Sequence, residues 1–208
     1  MFALFDVPVA GAYHVLLAIV DVLGPVPAIL VFTVAVRLLL HPLARAAARG
    51  DRVRQELAPR MAELKRKYGK DPDRMRREVA RLHQESGGSM FAGCLPLLAQ
   101  LPFFFVMFRL FSTGTVAGGP NALLGHTLFG TPLAAHASAA HPVFLLLFAV
   151  LAALAWWSTR LLPKEAPAAL RLVPYGSVLG AAVLPLAAGI YLCTSTAWGV
   201  AERAYLRR

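Results

Sequence analysis

The chain has 208 residues, 58% of them hydrophobic, with a formal net charge of +10 and a mean hydropathy of +0.60. Its apolar residues gather into runs of membrane-spanning length, which excludes a large soluble domain and marks an integral membrane protein. Thirteen of the 21 Lys and Arg lie between Arg45 and Arg81; charge confined to one loop beside a bilayer argues against a nucleic-acid-binding surface and for a cytoplasmic segment.

In chain order, residues 1–24 show no basic n-region and no Leu-x-x-Cys lipobox, so no cleaved signal peptide is expected. Asp6, His14, Asp21 and the Gly-Pro-Val-Pro break at 24–27 interrupt the apolar run. This segment reads as an extracytoplasmic, interfacial helix. The first transmembrane helix is expected over residues 25–43, ending in "ILVFTVAVRLLLHPL".

Residues 44–89 form a basic loop. Val53, Leu57, Met61, Leu64 and Tyr68, then Met75, Val79 and Leu82, recur at steps of three and four. Each half is thus an amphipathic helix with a narrow apolar stripe. Gly69 supplies a stop, Asp71 an N-cap and Pro72 a first helical position, so a cytoplasmic antiparallel hairpin is expected. Pro59 is expected to bend its first helix.

Four further spans follow within residues 90–208. One covers 90–112, and one covers 141–162 with Trp156 and Trp157 suited to an interfacial belt. The last two, about 171–183 and 185–204, are separated at Pro185. Residues 113–140 contain no Lys or Arg, whereas 160–171 and the short basic C-terminal tail contain several. The alternation places the N-terminus outside and the C-terminus in the cytoplasm.

The arginine at position 37 is the anomaly. A guanidinium near the middle of a span costs about 2.5–3.5 kcal/mol on insertion scales, and less near an end. Two readings fit: Arg37 snorkels to the nearby interface, or it is retained as a functional charge in a wet cavity. Thr33 shares its helix face. Tyr191, Thr194, Ser195 and Trp198 sit at i, i+3, i+4 and i+7 of the last span, and Glu202 continues that stripe. Gln100 lies about 15 Å along its span by helical rise. Plainer readings stand beside these: Thr33, Thr194 and Ser195 bonding back to their own helices, Gln100 as glue between helices, and Tyr191 and Trp198 as packing residues.

Read together, "VRLLLHPL", the hairpin "LAPRMAELKRKYGKDPDRMRREVARLHQESG" and the segment "MFAGCLPLLAQLPFFFVMFRLF" resemble the YidC/Oxa/Alb family of membrane protein insertases, from about residue 24 to 205. The resemblance implies an all-α membrane protein with five transmembrane helices around a hydrophilic groove open to the cytoplasm. It implies no cofactor or metal, and a location in the bacterial plasma membrane. Arg37 and Gln100 match groove positions of the family, joining Thr33, Tyr191, Thr194, Ser195 and Trp198 as candidate substrate contacts. Implied partners are nascent membrane proteins and the lipid bilayer, with the ribosome and a Sec-type translocon as further candidates. Arg60, Lys65, Arg66, Lys67, Arg74 and Arg77 are the docking candidates of the hairpin. The sequence departs from the family at Ser89-Met90, where Asn-Pro is usual, and at Leu192 and Thr196, which replace a Trp and an Asn.

Two other functions fit a small polytopic protein: a transporter or channel, or an assembly factor docking partners through the hairpin. An enzyme is not expected. Neither a paired acid and base nor a phosphate loop appears, and His14, His41, His83, His126, His136 and His141 lack ligand spacing. Cys94 and Cys193 sit in apolar runs, where a thiol behaves as a small hydrophobe.

Overall fold

The computed structural model describes residues 6–69, 71–85, 95–116, 118–137, 141–162 and 168–206. They are mostly helical. Contacts divide the chain into two compact units, Leu40–Leu101 and the remainder, Met1–Leu39 with Pro102–Arg208.

In the larger unit, α1 (Asp6–Leu23) and α2 (Pro25–Leu39) are separated by Gly24 alone. Gly24 adopts φ +82°, which glycine enters without steric cost. Its N–H closes α1 on Val20 O at 2.8 Å and its carbonyl opens α2 by accepting from Ala28 at 3.1 Å. The helices pack on one another through Val9, Tyr13, Leu16 and Val20 of α1 and Ala28, Ile29 and Phe32 of α2. Within the 1–24 segment, the described residues Asp6–Leu23 are helical. The whole of α1 is also long and apolar enough to cross a membrane, as is α6 (Pro142–Arg160).

The helix carrying Arg37 ends at Leu39, four residues before the expected boundary. Pro42 has no N–H for the Leu38 carbonyl, so the ladder breaks at the His-Pro pair. The 15 residues of α2 give about 22 Å of rise; it reaches span length only with residues 41–50. The described residues thus contain two helices long and apolar enough to cross a membrane, or three with that broken one.

The helices α5 (Leu95–Ser112) and α6, and the short helices α7 (Ala168–Leu172) and α8 (Gly176–Val183), precede the long α9 (Leu186–Leu206). A single 3₁₀ turn at Val173–Tyr175 joins α7 to α8. The expected break before Pro185 is present. Leu184 is extended, with φ −84° and ψ 154°, because a residue preceding proline is driven out of the helical region.

The entry to α9 is dense. Leu186, Ala187, Ala188, Gly189 and Ile190 are all buried, and α9 packs on α2, α6 and α8. A Cβ on Gly189 would stand 2.6 Å from Leu147 Cδ2 of α6. Gly189→Leu should therefore destabilise the bundle by roughly 1–3 kcal/mol through overpacking. Thermal unfolding of the detergent-solubilised variant checks this; an unchanged midpoint would show that α6 and α9 are not in close contact there.

Between α5 and α6 the loop is built, not slack. Hairpins β1 (Thr115–Val116) with β2 (Gly119–Pro120), and β3 (Thr127–Leu128) with β4 (Thr131–Pro132), flank a 3₁₀ turn at Ala122–Gly125. Phe129 and Gly130 both have positive φ at the β3–β4 turn, the pattern of a type I′ hairpin. The loop covers the end of the bundle. Leu123 and Leu133 are fully buried, and the Ala135 and Leu133 carbonyls accept from Leu186 N (2.8 Å) and Ala187 N (3.0 Å). Those are donors that α9's first turn cannot satisfy itself.

The smaller unit holds the hairpin, α3 (His41–Tyr68) and α4 (Pro72–Glu85), packed on each other. Every stripe residue is half-buried except Leu82, which is buried. The turn chemistry is as the sequence indicates: Asp71 Oδ1 accepts from Arg74 N at 3.1 Å, capping α4 ahead of Pro72. Helix α3 continues through Pro59.

Candidate functional site

Arg37 sits in the last turn of α2 and its guanidinium reaches across to α9. Nε donates to Ser195 Oγ at 3.0 Å, and Nη2 donates to the same oxygen. Ser195 is buried, and Arg37 is half-buried. Tyr191 and Glu202 lie within electrostatic reach of the guanidinium, one turn before and two turns after Ser195. Tyr191 also stacks on Phe111 of α5, with centroids 5.4 Å apart and planes at 26°. A chain of contacts thus runs Phe111–Tyr191–Ser195–Arg37 across three helices.

Of the seven residues expected to line a groove, three meet: Arg37, Tyr191 and Ser195. Thr33 is buried and its hydroxyl donates to Ile29 O at 2.6 Å; Thr194 does the same to Ile190 O at 2.8 Å. Both are satisfied by their own helices, the outcome common for hydroxyls in apolar surroundings. Trp198, one turn beyond Ser195, keeps a buried indole N–H without an acceptor among the described residues. The side chain of Gln100 lies outside the described residues, as do Cys94 and the Ser89-Met90 departure.

Further along α9, Arg203 Nη2 donates to the buried Ser158 Oγ of α6 at 3.0 Å, and its Nε donates to Gly199 O at 3.1 Å. Arg160 stacks on Trp156, 4.5 Å from the ring centroid. Two arginine–serine pairs therefore hold α9: Arg37 and Ser195 tie it to α2 through two hydrogen bonds, and Arg203 and Ser158 tie it to α6 through one. Charge-assisted hydrogen bonds of this kind contribute about 1.5–3 kcal/mol each. Ser195→Ala is expected to leave the guanidinium in place but unaimed and to lower the thermal midpoint by roughly 3–12 °C, with Ser195→Thr close to wild type. Thermal unfolding of both variants decides it; an equal fall in Ala and Thr would mean that only local packing matters.

Two residues that do not stand out in the sequence organise the opposite end. Buried Asn121 donates from Nδ2 to Leu110 O (2.9 Å) and Thr113 O (3.0 Å), and its Oδ1 accepts from Leu123 N at 3.2 Å. It closes the last turn of α5 and opens the following 3₁₀ turn. The Tyr13 hydroxyl accepts from Ala122 N at 2.8 Å and donates to Pro120 O at 3.4 Å, tying α1 to the same loop. A Pro-Asn pair after glycines is a turn signal; nothing in its neighbours announces a buried three-way cap.

In the hairpin, Arg60, Lys65, Arg66, Lys67, Arg74 and Arg77 are all exposed. Arg74 lies 3.7 Å from Asp71 Oδ2 and Lys67 5.3 Å from the centroid of the Tyr68 ring. Among the described residues there is no group of His, Cys, Asp and Glu able to hold a metal ion.

An apolar helical bundle with helices of crossing length that holds a half-buried arginine against a serine of a second helix has the make-up of an integral membrane protein with polar chemistry inside its bundle. Residues 24–208 match the family described as 60Kd inner membrane protein. Curated relatives carry the name membrane protein insertase YidC. The one from Aquifex aeolicus is 43% identical over 82 residues, which is 39% of this chain and 16% of that protein. The one from Clostridium perfringens is 34% identical over 116 residues, 54% of this chain and 49% of that protein, and the one from Chlamydia caviae is 39% identical over 97 residues, 47% and 12%. The chain belongs to this family, the YidC/Oxa/Alb membrane protein insertases. It spans less than half the length of each of these relatives.

Proposed function

We propose that the protein is a membrane protein insertase. It receives hydrophobic segments of newly made membrane proteins in a cytoplasm-open groove and releases them sideways into lipid. Five helices cross the membrane in this reading: α2 with the start of α3, α5, α6, α7–α8 and α9, with the N-terminus outside and the C-terminus in the cytoplasm. Helix α1 lies along the outer face. Its Asp6 end meets Arg109 near the end of α5, its Tyr13 meets residues 120–122, and its last residue leads through Gly24 into the start of α2. All three points belong to one face in this topology, which favours the interfacial reading over a sixth span.

The observation that carries the proposal is the arginine bonded to Ser195 inside the bundle. No bond is made or broken in the process. A guanidinium has five N–H donors, and Ser195 takes two of them. The others offer charge-assisted bonds to the acidic side chains and bare carbonyls of a short segment on its way out. The unfilled Trp198 indole N–H adds a donor one turn away. The loop of residues 113–137, fastened to α1, α5 and α9, closes the outer end, which disfavours a transporter open to both faces. Lateral release is driven by burial of the substrate's apolar residues, about 0.8 kcal/mol per CH₂. The exposed basic residues of the hairpin then serve as a docking arm for the ribosome, a Sec-type translocon or the substrate itself.

Photo-crosslinking tests the groove. A crosslinker at Tyr191 should capture a stalled single-span substrate, whereas one at Leu145, 68% exposed on α6, should capture mainly lipid. The reverse pattern would place the substrate path on the outside of the bundle.

A further inference from the structure

Arg109 stands where the charge pattern provides no other Lys or Arg: at the far end of α5, beside a basic-free loop of 28 residues, 113–140. Its Nη1 lies 3.3 Å from Asp6 Oδ1 in the first turn of α1. A stapling ion pair is the plain account, but neither partner is fully buried, with side chains 29% and 60% exposed, and such pairs contribute little to stability. The pair also forms one wall of a cavity of about 260 Å³, which Val9, Thr113, Thr115, Val116 and Gly118 complete. That volume lies just under the roughly 300–1,000 Å³ of pockets for drug-sized ligands, the scale of a headgroup rather than of a large metabolite.

We propose that this cavity binds the aminoethyl-phosphate headgroup of a phospholipid of the outer leaflet; the assignment to that leaflet rests on the topology proposed above. The chemistry follows from what lines the space. A guanidinium fork matches the oxygens of a phosphate diester, and the threonine hydroxyls supply further donors. The carboxylate of Asp6 and the same hydroxyls accept from a primary ammonium. An anionic headgroup without an amine would set its charge against Asp6 unrelieved. A trimethylated amine has no N–H to give the carboxylate. A bound headgroup would clasp α1, α5 and the loop together at the level where lipid phosphates lie, which gives an arginine on this side of the membrane a use that snorkelling does not.

The test is thermal unfolding of the full chain in maltoside micelles doped with phosphatidylethanolamine, phosphatidylglycerol or phosphatidylcholine, with soluble glycerophosphoethanolamine as a fourth arm. Phosphatidylethanolamine should raise the midpoint saturably, by about 5–10 °C near a hundredfold excess over its Kd, and the other two lipids by much less. Arg109→Gln and Asp6→Asn should each abolish that increment whatever their own baseline. Thr115→Trp, at an exposed position on the cavity wall, should abolish it while keeping the ion pair and the baseline. An equal rise with the soluble compound would support the same chemistry with a soluble source. Equal responses to all three lipids, or an undiminished increment in the variants, would overturn the site. Neither result bears on Arg37: a missing lipid increment alongside an insertion defect in Arg37→Ala would leave the insertase reading standing.

Discussion

Arg37→Ala is expected to lower insertion of a single-span reporter with an acidic outside segment roughly tenfold or more, while the protein itself accumulates normally. The size follows from the bonds at stake. One charge-assisted hydrogen bond to a substrate contributes about 1.5–3 kcal/mol, and alanine also removes both hydrogen bonds that Ser195 accepts from the guanidinium. Arg37→Lys should retain part of the activity, because the charge remains while the fork that engages Ser195 through two nitrogens does not. Neutralising the substrate's acidic residues should reduce the difference between wild type and Arg37→Ala. Protease protection of the reporter, with immunoblotting of the insertase, measures all of this. Full activity of the alanine variant on several substrates would remove Arg37 from the mechanism while leaving the family membership intact.

The largest effect on stability is expected from Asn121. Alanine there deprives Leu110 O, Thr113 O and Leu123 N of their partners in a buried site. Each loss costs about 1 kcal/mol or more, so a total near 3 kcal/mol and a fall in midpoint of about 10 °C follow. Asn121→Asp should be no better. It keeps an acceptor for Leu123 N but turns a negative oxygen toward two carbonyls. Because the loop also closes α9's first turn through Leu133 and Ala135, protease sensitivity of residues 113–137 should rise together with the fall in midpoint. An Asn121→Ala protein as stable as wild type would mean that the loop is not what closes this end of the bundle.

Much of the fold is legible in the sequence because local chemistry decides it. The helix 141–162 is bounded by His-Pro and a basic residue, and α6 runs Pro142–Arg160. Pro185 forces Leu184 out of helix, and the bundle turns there. Gly69, Asp71 and Pro72 punctuate the hairpin, and α4 begins at Pro72 with Asp71 as its cap. At the end of the first span a proline moved the boundary: Pro42 ends α2 at Leu39 rather than 43.

Partner choice is less legible than position. The polar stripe of the last helix is visible as spacing, but spacing ranks Thr194, Ser195, Tyr191 and Trp198 equally. Only packing selects Ser195 as the one that hydrogen-bonds to Arg37, 158 positions away. The same packing leaves Thr33 and Thr194 to their own carbonyls. The loop after α5 was opaque for another reason. Its order comes from main-chain bonds and two side chains, Asn121 and Tyr13, and neither pattern has a period to detect.

The most direct measurement is insertion of a purified single-span substrate into liposomes whose sole protein is this chain. Protected substrate well above that of protein-free liposomes, falling toward that background with Arg37→Ala, is the expected result. Protection no greater than in protein-free liposomes, with the reconstituted protein folded, would contradict an insertase that acts through its own groove.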